Sequence, residues 1–299
     1  MKRTPFRAVL HVIAAILLTS AAHTQTLYTF PDQGFTPVYT FINSATKTLD
    51  MTMYELVDTT AQQDFIALAK KGIKVRVILD QNSEKTMNTP AFNALTKAGV
   101  SVHWANKVYH VTHQKTITVD GSSSLILTAN LTSRYYAGTR DFAVIDTNAA
   151  DVAAIEATFN ADFVNAAITP GKATDLIWSP TDSSADLLAL INTAAHTLTV
   201  ESEEMSNAAI VTALENAAKR GVTVKVIMTN DANEYATEFN ALLAAGCRSA
   251  PTKTVPKSST FTPKRPSPTS ESAAHNASSS ARRTIRSPRS PRTASSASS

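Results

Sequence analysis

The sequence predicts an α/β fold of two pseudo-repeated lobes, each a central sheet flanked by helices, with the second lobe truncated. Apolar segments with helical spacing alternate with short strand-like runs, and the alternation occurs twice, at an offset of 149 residues. A change of composition after residue 247 indicates where the second copy stops. Alternating helices and strands bury their apolar faces by layering helices on a sheet. We assign the first lobe to residues 25–168 and the second to residues 169–247.

The first copy reads helix, strand, helix, strand, helix. Gly72 and Gly99 each follow a helical segment, at the place where glycine commonly ends a helix. The second strand is almost continuously apolar, as expected for a strand buried on both faces of a largely parallel sheet. The predicted elements are helix 36–45, strand 49–54, helix 60–71, strand 73–80 and helix 91–98.

The second copy repeats residues of the first at a nearly constant offset. The segment 92–95 recurs at 239–242, where the offset is 147. Self-similarity over this length indicates duplication of a whole structural unit. Pairs at an offset of 149 are Pro31 and Pro180, Ile42 and Ile191, Thr48 and Thr197, and Gly72 and Gly221.

Residues 113–120 hold the pattern His-x-Lys-x4-Asp, formed by His113, Lys115 and Asp120. Alternate residues of a strand point to one face, so His113 and Lys115 can address one ligand together. A neutral imidazole is a suitable nucleophile for phosphorus, and an ammonium neutralises the charge that builds on the phosphoryl oxygens. The pattern therefore predicts a site for phosphoryl chemistry.

Further polar residues follow at the ends of the next strands. Thr128 and Asn130 come after the strand 124–127, and Asp141 begins another strand-like run. A carboxylate on the second nitrogen of a catalytic imidazole fixes its tautomer and stabilises the imidazolium. Together with the motif, this spacing resembles the phospholipase D superfamily. Leu127 stands where that family usually has glycine, and Asp141 is shorter than its more frequent Glu.

The resemblance implies a fold, an activity and a set of site residues. It implies two α/β lobes with mixed sheets, each giving one motif to a shared cleft. The implied activity is metal-independent hydrolysis or exchange of phospholipid head groups through a phosphohistidine, as in lipid degradation, without any cofactor. A nuclease of the same superfamily, acting on nucleic acid, is the alternative. The implied catalytic residues are His113, Lys115, Asp120, Asn130 and Asp141, with Lys115, Thr128 and Asn130 on the substrate phosphate.

A second motif is missing from its expected place. The offsets put a second histidine at residue 260 or 262, and both positions hold threonine. Read one base out of frame, the codons from Phe261 to Thr269 permit His-x-Lys-x4-Asp. We therefore predict a frameshift near residue 247; a genuine evolved tail is the alternative.

The consequence of this loss is a missing proton donor. The family's chemistry uses the second histidine as acid and base. That group must come from a repaired second lobe or from a second protomer in a homodimer. This product is therefore expected to be inactive or nearly so as a monomer, and an inactive relative is a further alternative.

The two ends of the chain differ from its body. Residues 1–24 combine a basic start with a short apolar stretch, which is typical of a secretory signal and predicts a secreted or periplasmic protein. Residues 248–299 contain fifteen Ser and seven Pro, a composition that predicts disorder. This tail carries a charge of +9, so the remainder carries −5, which weakly disfavours nucleic acid as a partner.

Other polar residues give weaker signals. Glu55 and Glu204 occupy equivalent positions of the two copies, at strand ends, where solvated carboxylates are expected. Cys247 is the only cysteine, so folding cannot depend on an intrachain disulfide. No Cys/His cluster has the spacing of a zinc site.

Overall fold

The computed structural model describes residues 25–173, 175–229, 233–252 and 281–283. The predicted signal segment, residues 1–24, and most of the predicted tail lie outside the described residues. The described chain contains a seven-stranded sheet in the first lobe and a three-stranded sheet in the second.

The sheet of the first lobe is mixed, which confirms the expectation of a mixed sheet flanked by helices. Its strands are β1 (Thr26–Phe30), β2 (Thr48–Met53), β3 (Lys74–Leu79), β4 (Ser101–Trp104), β6 (Lys115–Val119), β7 (Ser123–Leu127) and β8 (Asp141–Asp146). The order across the sheet is β1-β8-β7-β6-β2-β3-β4. Strands β2, β3 and β4 are parallel, whereas β6, β7, β8 and β1 continue the sheet antiparallel. The prediction of a largely parallel sheet is therefore wrong for the half formed by β6, β7, β8 and β1.

Helices cover both faces of this sheet. The first three pack on the face that carries Leu49, Val77 and Ile117, where they enclose the main core. The fourth lies on the opposite face, where Arg76 donates to Asn160 over 2.8 Å and to Asp50 through two hydrogen bonds of 2.6 Å. The helices are α1 (Thr36–Asn43), α2 (Thr59–Lys70), α3 (Lys85–Lys97) and α4 (Ala149–Phe163), with a 3-10 turn at Ser133–Tyr135.

Helix α3 begins six residues earlier than the sequence predicts. The side chain of Asp80, just after β3, accepts hydrogen bonds from the backbone N–H groups of Ser83 and Glu84 at 2.8 and 3.0 Å. These bonds hold the chain where the helix begins, because the first N–H groups of a helix have no partner within it. Pro90 lies inside the helix.

The described part of the second lobe repeats the order of elements of the first from α1 to β4. It contains α5 (Ser183–Thr193), β9 (Thr197–Ser202), α6 (Ala208–Lys219), β10 (Thr223–Thr229), α7 (Ala236–Ala244) and β11 (Arg248–Thr252). Thr48 pairs with Lys74 in the first lobe, and their equivalents Thr197 and Thr223 pair in the second. Helix α6 spans the residues of α2 shifted by 149 at both ends. The predicted duplication is thus visible in strand register, which fixes which side chains share a face.

The boundary of the second lobe lies beyond residue 247, so the expected tail starts too early. Strand β11 begins at Arg248 and pairs parallel to β10, with Val226 opposite Ser249. The equivalent pair in the first lobe is Val77 and Val102. The polar composition concealed a strand that backbone hydrogen bonds to β10 hold in place. A further short pairing joins β5 (Tyr109–Thr112) to β12 (Ala281–Arg283).

Candidate active site

The motif lies at one edge of the first-lobe sheet, where β2 and β3 end and β6 begins. Lys115 is the first residue of β6 and lies opposite Met53, the last residue of β2. Strand β8 begins at this edge with Asp141, which follows the end of β7. The carboxyl ends of parallel strands are the usual place of ligand sites in α/β sheets.

His113 and Lys115 contact each other and share a third partner. Lys115 Nζ donates to the backbone oxygen of His113 over 2.9 Å. The ring of Tyr54 lies with its centroid 4.4 Å from the centroid of the His113 ring, in an edge-on arrangement. The same ring lies 5.1 Å from Lys115 Nζ, within the range of a cation–π interaction. The imidazole and the ammonium therefore pack against the same aromatic ring. The sequence patterns did not indicate Tyr54.

Lys115 is a buried cation. Only 5% of its surface is exposed. Burial lowers the pKa of Lys115 to about 7, and the charges of Glu203, Asp141, Glu55 and Asp80 oppose that shift. The effect of burial on the pKa of Lys115 outweighs these charges, because no carboxylate of the described residues forms an ion pair with the ammonium.

Thr128 and Asp141 form a hydrogen-bonded pair at the same edge. The hydroxyl of Thr128 donates to Asp141 Oδ1 over 2.6 Å and accepts from the backbone N–H of Phe142 over 2.9 Å. The Thr128 hydroxyl thus holds the carboxylate of Asp141, and its expected contact with a phosphate stays a prediction. The negative charge of Asp141 acts on Lys115, which places it with the motif.

Asn130 has an open hydrogen-bonding group. Within the described part of the chain, its buried Oδ1 has no hydrogen-bond partner. A buried amide is normally satisfied, so an unpaired one at a site edge is available to a ligand. Rotation of the amide by half a turn would present the Nδ2 donor instead.

Asp120 does not join the other motif residues. It lies at the far end of β6 from Lys115, a distance of about 16 Å for a strand of this length. Its carboxylate accepts hydrogen bonds from Thr46 N, Thr46 Oγ1, Lys47 N and Thr48 N, the last over 2.9 Å. Burial alone would raise its pKa, but these hydrogen bonds hold the pKa of Asp120 at about 2. Asp120 therefore clamps the start of β2, and its expected catalytic role stays a prediction.

A buried polar network that sequence reasoning missed positions the motif. Asn88 of α3 is fully buried; its Oδ1 accepts from Leu56 N over 2.8 Å, and its Nδ2 donates to the backbone oxygens of Tyr54 and Asp80. Asp80 Oδ2 accepts from Thr112 N over 2.8 Å, one residue before His113. One signal was present in the sequence: Asn88 falls on the apolar stripe of its helix with Ala91 and Leu95.

Glu55 is buried, contrary to the expectation of a solvated carboxylate. It is 6% exposed and forms an ion pair with Arg134 over 3.0 Å. Burial raises the pKa of Glu55, and the positive charge of Arg134 opposes the shift. The pair joins the end of β2 to the loop between β7 and β8, and that loop carries Asn130.

The second lobe presents carboxylates to this edge. Glu203 is the repeat equivalent of Tyr54, and among neighbouring charges it acts most strongly on Lys115. Burial raises the pKa of Glu201, Arg140 opposes that shift and Asp141 adds to it. No histidine occurs between residues 197 and 252. The second lobe therefore offers acidic side chains to this edge of the sheet.

The described residues form neither a cluster of metal-binding side chains nor a helix that could cross a membrane. No group of three or more His, Cys, Asp or Glu side chains among them could hold a metal ion. Within the same ranges, every helix is too short or too polar to cross a membrane.

The first lobe has the α/β fold and the motif of a phospholipase D-like domain. Residues 38–163 match the sequence model of the family described as "Cardiolipin synthase, PLD-like domain". This segment contains the motif, Asn130 and Asp141, so the chain carries a phospholipase D-like domain and the resemblance is confirmed. No curated protein sequence matches the chain.

Two solved structures share the fold, with TM-scores of 0.55 and 0.56, and a third has a TM-score of 0.45. Phosphatidylserine synthase of Haemophilus influenzae Rd KW20 matches 69% of this chain and 61% of its own, with 11% identity and a TM-score of 0.55. Polyphosphate kinase of Porphyromonas gingivalis matches 69% of this chain and 38% of its own, with 15% identity and a TM-score of 0.56. Nuc of Salmonella typhimurium, a phospholipase D family member, matches 50% of this chain and 99% of its own, with 16% identity and a TM-score of 0.45. This chain thus spans less than two thirds of the synthase and the kinase.

Proposed function

We propose that this protein is a metal-independent phosphodiesterase of phospholipase D type that acts on phospholipid head groups through a phosphohistidine on His113. The observation that carries the proposal is the contact between His113 and the buried ammonium of Lys115, 2.9 Å from Nζ to the backbone oxygen. A nucleophile and a desolvated cation side by side suit displacement at phosphorus, where charge grows on the phosphoryl oxygens.

Each residue of the site has a role in this reaction. His113 attacks phosphorus, and Lys115 holds a non-bridging oxygen of the phosphate. Asn130, with its open amide, binds another. Asp141, held by the hydroxyl of Thr128, stabilises the imidazolium that forms. The reaction also needs general acid–base catalysis, which typically contributes 10²–10⁴-fold to a rate.

The charges around the site favour a lipid over a nucleic acid. The carboxylates that act on Lys115 are Glu203, Asp141, Glu55 and Asp80. A polynucleotide would bring further phosphates against these groups, and like charges at short range cost binding energy. A phospholipid brings one phosphate, often beside a cationic head group, which this arrangement tolerates better.

A direct test compares two substrates with one pair of variants. The full chain is assayed in EDTA on phosphatidylcholine micelles, by release of the head group, and on supercoiled plasmid, by nicking. His113→Ala should lower lipid hydrolysis by several orders of magnitude, because the nucleophile is removed. His110→Ala, an exposed histidine on the neighbouring β5, is the matched control. Nicking without lipid hydrolysis would support the nuclease instead, and more than a tenth of normal turnover in His113→Ala would refute both.

We also propose a secreted or periplasmic location, which rests on the basic and apolar pattern of residues 1–24. A fusion of these residues to a reporter that is active only after export would test it. A reporter that stays inside the cell and keeps the segment would contradict it.

A further inference from the structure

The loop that carries Asn130 is fixed to the start of helix α2. It runs from the end of β7 to the start of β8 and contains the 3-10 turn Ser133–Tyr135. Leu131, the residue after Asn130, is fully buried, and its backbone oxygen accepts hydrogen bonds from the N–H groups of Val57 and Asp58, both over 2.8 Å. The backbone that follows Asn130 therefore cannot shift without breaking two hydrogen bonds.

The side chain of Asp58 holds the far end of the same loop segment. Its Oδ2 accepts a hydrogen bond of 2.8 Å from the hydroxyl of Tyr136, which follows the 3-10 turn, and one of 2.6 Å from the hydroxyl of Tyr39 on α1. Its Oδ1 accepts from the backbone N–H groups of Thr60 and Ala61 and so caps α2. Asp58, which is 1% exposed, thus binds the loop on both sides of the turn.

This anchoring explains how a buried amide stays without a partner. Within the described ranges, Asn130 Oδ1 is buried and makes no hydrogen bond. An unpaired buried group costs free energy, so a loose loop would relax until the amide met solvent or a protein partner. Before Asn130 the backbone N–H of Thr128 donates to Phe142 over 2.9 Å, and after it Leu131 and Tyr136 are held by Asp58. A binding group that is already in place loses less entropy when a ligand arrives, so it binds more tightly.

We propose that Asp58 is a positioning residue of this site: through Leu131 and Tyr136 it holds the Asn130 amide where the phosphate of the substrate binds. This inference rests on the proposed phosphodiesterase function and deepens it. Asp58 is buried, so it acts through the loop and not on the substrate itself. The role concerns phosphate binding, so it applies equally whether or not the second motif is restored.

The hydrogen bond from Tyr136 is better suited to fix the loop than the nearby ion pair. Arg134 donates to Glu55 over 3.0 Å, but its side chain is 48% exposed, and exposed ion pairs contribute little. Tyr136 donates to a carboxylate that is shielded from water, and hydrogen bonds to charged groups are roughly twice as strong as neutral ones. Burial, followed by the hydrogen bond to Asp58, raises the pKa of Tyr136, so its hydroxyl keeps its proton and remains a donor.

Two tyrosine variants provide the test, because both hydroxyls donate to the same oxygen of Asp58. Tyr136→Phe and Tyr39→Phe each remove one hydroxyl and keep the ring, so both should lower the melting temperature of the full chain to a similar extent. Only Tyr136 belongs to the loop that carries Asn130. The readout is the dissociation constant of inorganic phosphate, measured by NMR titration in EDTA, because phosphate binding requires no proton transfer and no second histidine.

The two variants should differ in their affinity for phosphate. In Tyr136→Phe the dissociation constant should rise by about tenfold, since a displacement of about 1 Å in a site can cost up to about 10²-fold. In Tyr39→Phe it should stay within about twofold of the wild type, because this hydroxyl has no contact with the loop. If Tyr136→Phe does not fold, Asp58→Asn replaces it, because the amide oxygen can still cap α2, and the same rise is expected.

Two further measurements show whether the effect passes through Asn130. In the Asn130→Ala background, Tyr136→Phe should change the affinity for phosphate no further, because the group that it positions is absent. Amide hydrogen exchange of residues 129–136 should be faster in Tyr136→Phe than in Tyr39→Phe, since only the first variant loosens this loop.

Several outcomes would overturn the inference. Equal phosphate affinities of Tyr136→Phe and Tyr39→Phe, at a similar loss of melting temperature, would exclude a positioning role for Asp58. A loss of affinity in Tyr136→Phe that persists in the Asn130→Ala background would show that the loop acts on another group. A wild type that binds no phosphate would also overturn it, whether or not lipid is hydrolysed. By contrast, a wild type that binds phosphate and nicks plasmid without hydrolysing phosphatidylcholine refutes the lipid function alone, and the tyrosine pair still decides the role of Asp58.

Discussion

The ammonium of Lys115 donates a hydrogen bond to the backbone oxygen of His113, although the two residues belong to different pieces of secondary structure. His113 lies in the loop after β5, and Lys115 is the first residue of β6. Because the donor is buried and the acceptor is a main-chain group, the contact fixes the path of the loop. The centroid of the Tyr54 ring lies 4.4 Å from the centroid of the His113 ring and 5.1 Å from Lys115 Nζ, so the imidazole and the ammonium share one neighbour.

Lys115→Met should make the protein more stable at pH 6 while abolishing activity. Replacing a buried ionic group by an apolar one of similar size is often stabilising, by about 1–4 kcal/mol. The pKa of Lys115 lies near 7 in the folded chain and 10.5 in the unfolded chain, so the unfolded state binds more protons between these values. Wild-type stability therefore rises as pH increases from 7 towards 10.5, and the advantage of the variant should shrink. Urea unfolding of the wild type and of Lys115→Met at pH 6 and pH 9 measures both stabilities. A stability difference that is the same at the two pH values would contradict the lowered pKa of Lys115.

Asp141→Asn should reduce turnover less than His113→Ala does. The substitution changes the charge beside the imidazolium but leaves the nucleophile in place. Thr128→Val should show a smaller defect of the same kind, because it removes the 2.6 Å hydrogen bond that orients Asp141. Steady-state kcat on phosphatidylcholine ranks the three variants. If Asp141→Asn is as inactive as His113→Ala, the carboxylate has a more direct role than stabilising the imidazolium.

Asp120→Asn should destabilise the fold and spare the chemistry. Its carboxylate accepts hydrogen bonds from the backbone of Thr46, Lys47 and Thr48, where β2 begins. Each hydrogen bond to a charged group contributes at most about 3 kcal/mol. The pKa of Asp120 is depressed to about 2, so this contribution is present above pH 3.8 and is lost as pH falls towards 2. Unfolding measured at pH 7 and pH 3 should show a smaller loss in the variant at the lower pH. A drop of more than tenfold in kcat per folded molecule would indicate that Asp120 takes part in catalysis.

Asn88→Ala should lower both stability and kcat. It leaves Leu56 N without its acceptor and removes two donors from the backbone oxygens of Tyr54 and Asp80. Each buried group left unpaired costs about 1–3 kcal/mol. Asn93→Ala, an exposed residue of the same type on the same helix, is the control for helix propensity. Equal effects of the two substitutions, on melting temperature and on kcat, would rule out a positioning role for Asn88.

Restoring the alternative reading frame should complete the second lobe. The register of the first lobe continues in the second into β11, whereas the matching residues of the sequence repeat end at Gly246. One base inserted or deleted between codons 247 and 260 should create His-x-Lys-x4-Asp near residue 262 and a more soluble, monomeric and more active enzyme. Re-sequencing of the gene and activity of both products check this. A repaired product that aggregates, or is no more active, would favour a genuine tail.

Local patterns were sufficient for much of the fold but not for all of it. The offset of 149 residues predicted equivalent lobes, and the shared registers of β2 with β3 and of β9 with β10 confirm it. Composition failed at β11, because a strand held by backbone hydrogen bonds to its neighbour does not need apolar side chains. The sequence patterns also missed the antiparallel half of the sheet, since no α-helix lies between β6 and β7 or between β7 and β8, and the alternation of strands and helices does not cover such segments.

The sequence by itself determined the chemistry available to this protein: one imidazole and one ammonium two residues apart, an amide and a carboxylate at the ends of later strands, and a duplicated scaffold around them. Tertiary structure decided which of these groups meet. Asp120 is part of the motif but points into the start of β2, whereas Tyr54, Asn88 and Glu203 lie outside it and shape the site. The physical reason is that hydrogen bonding and desolvation depend on distance in space. Neighbouring strand ends bring residues together that are far apart in the chain.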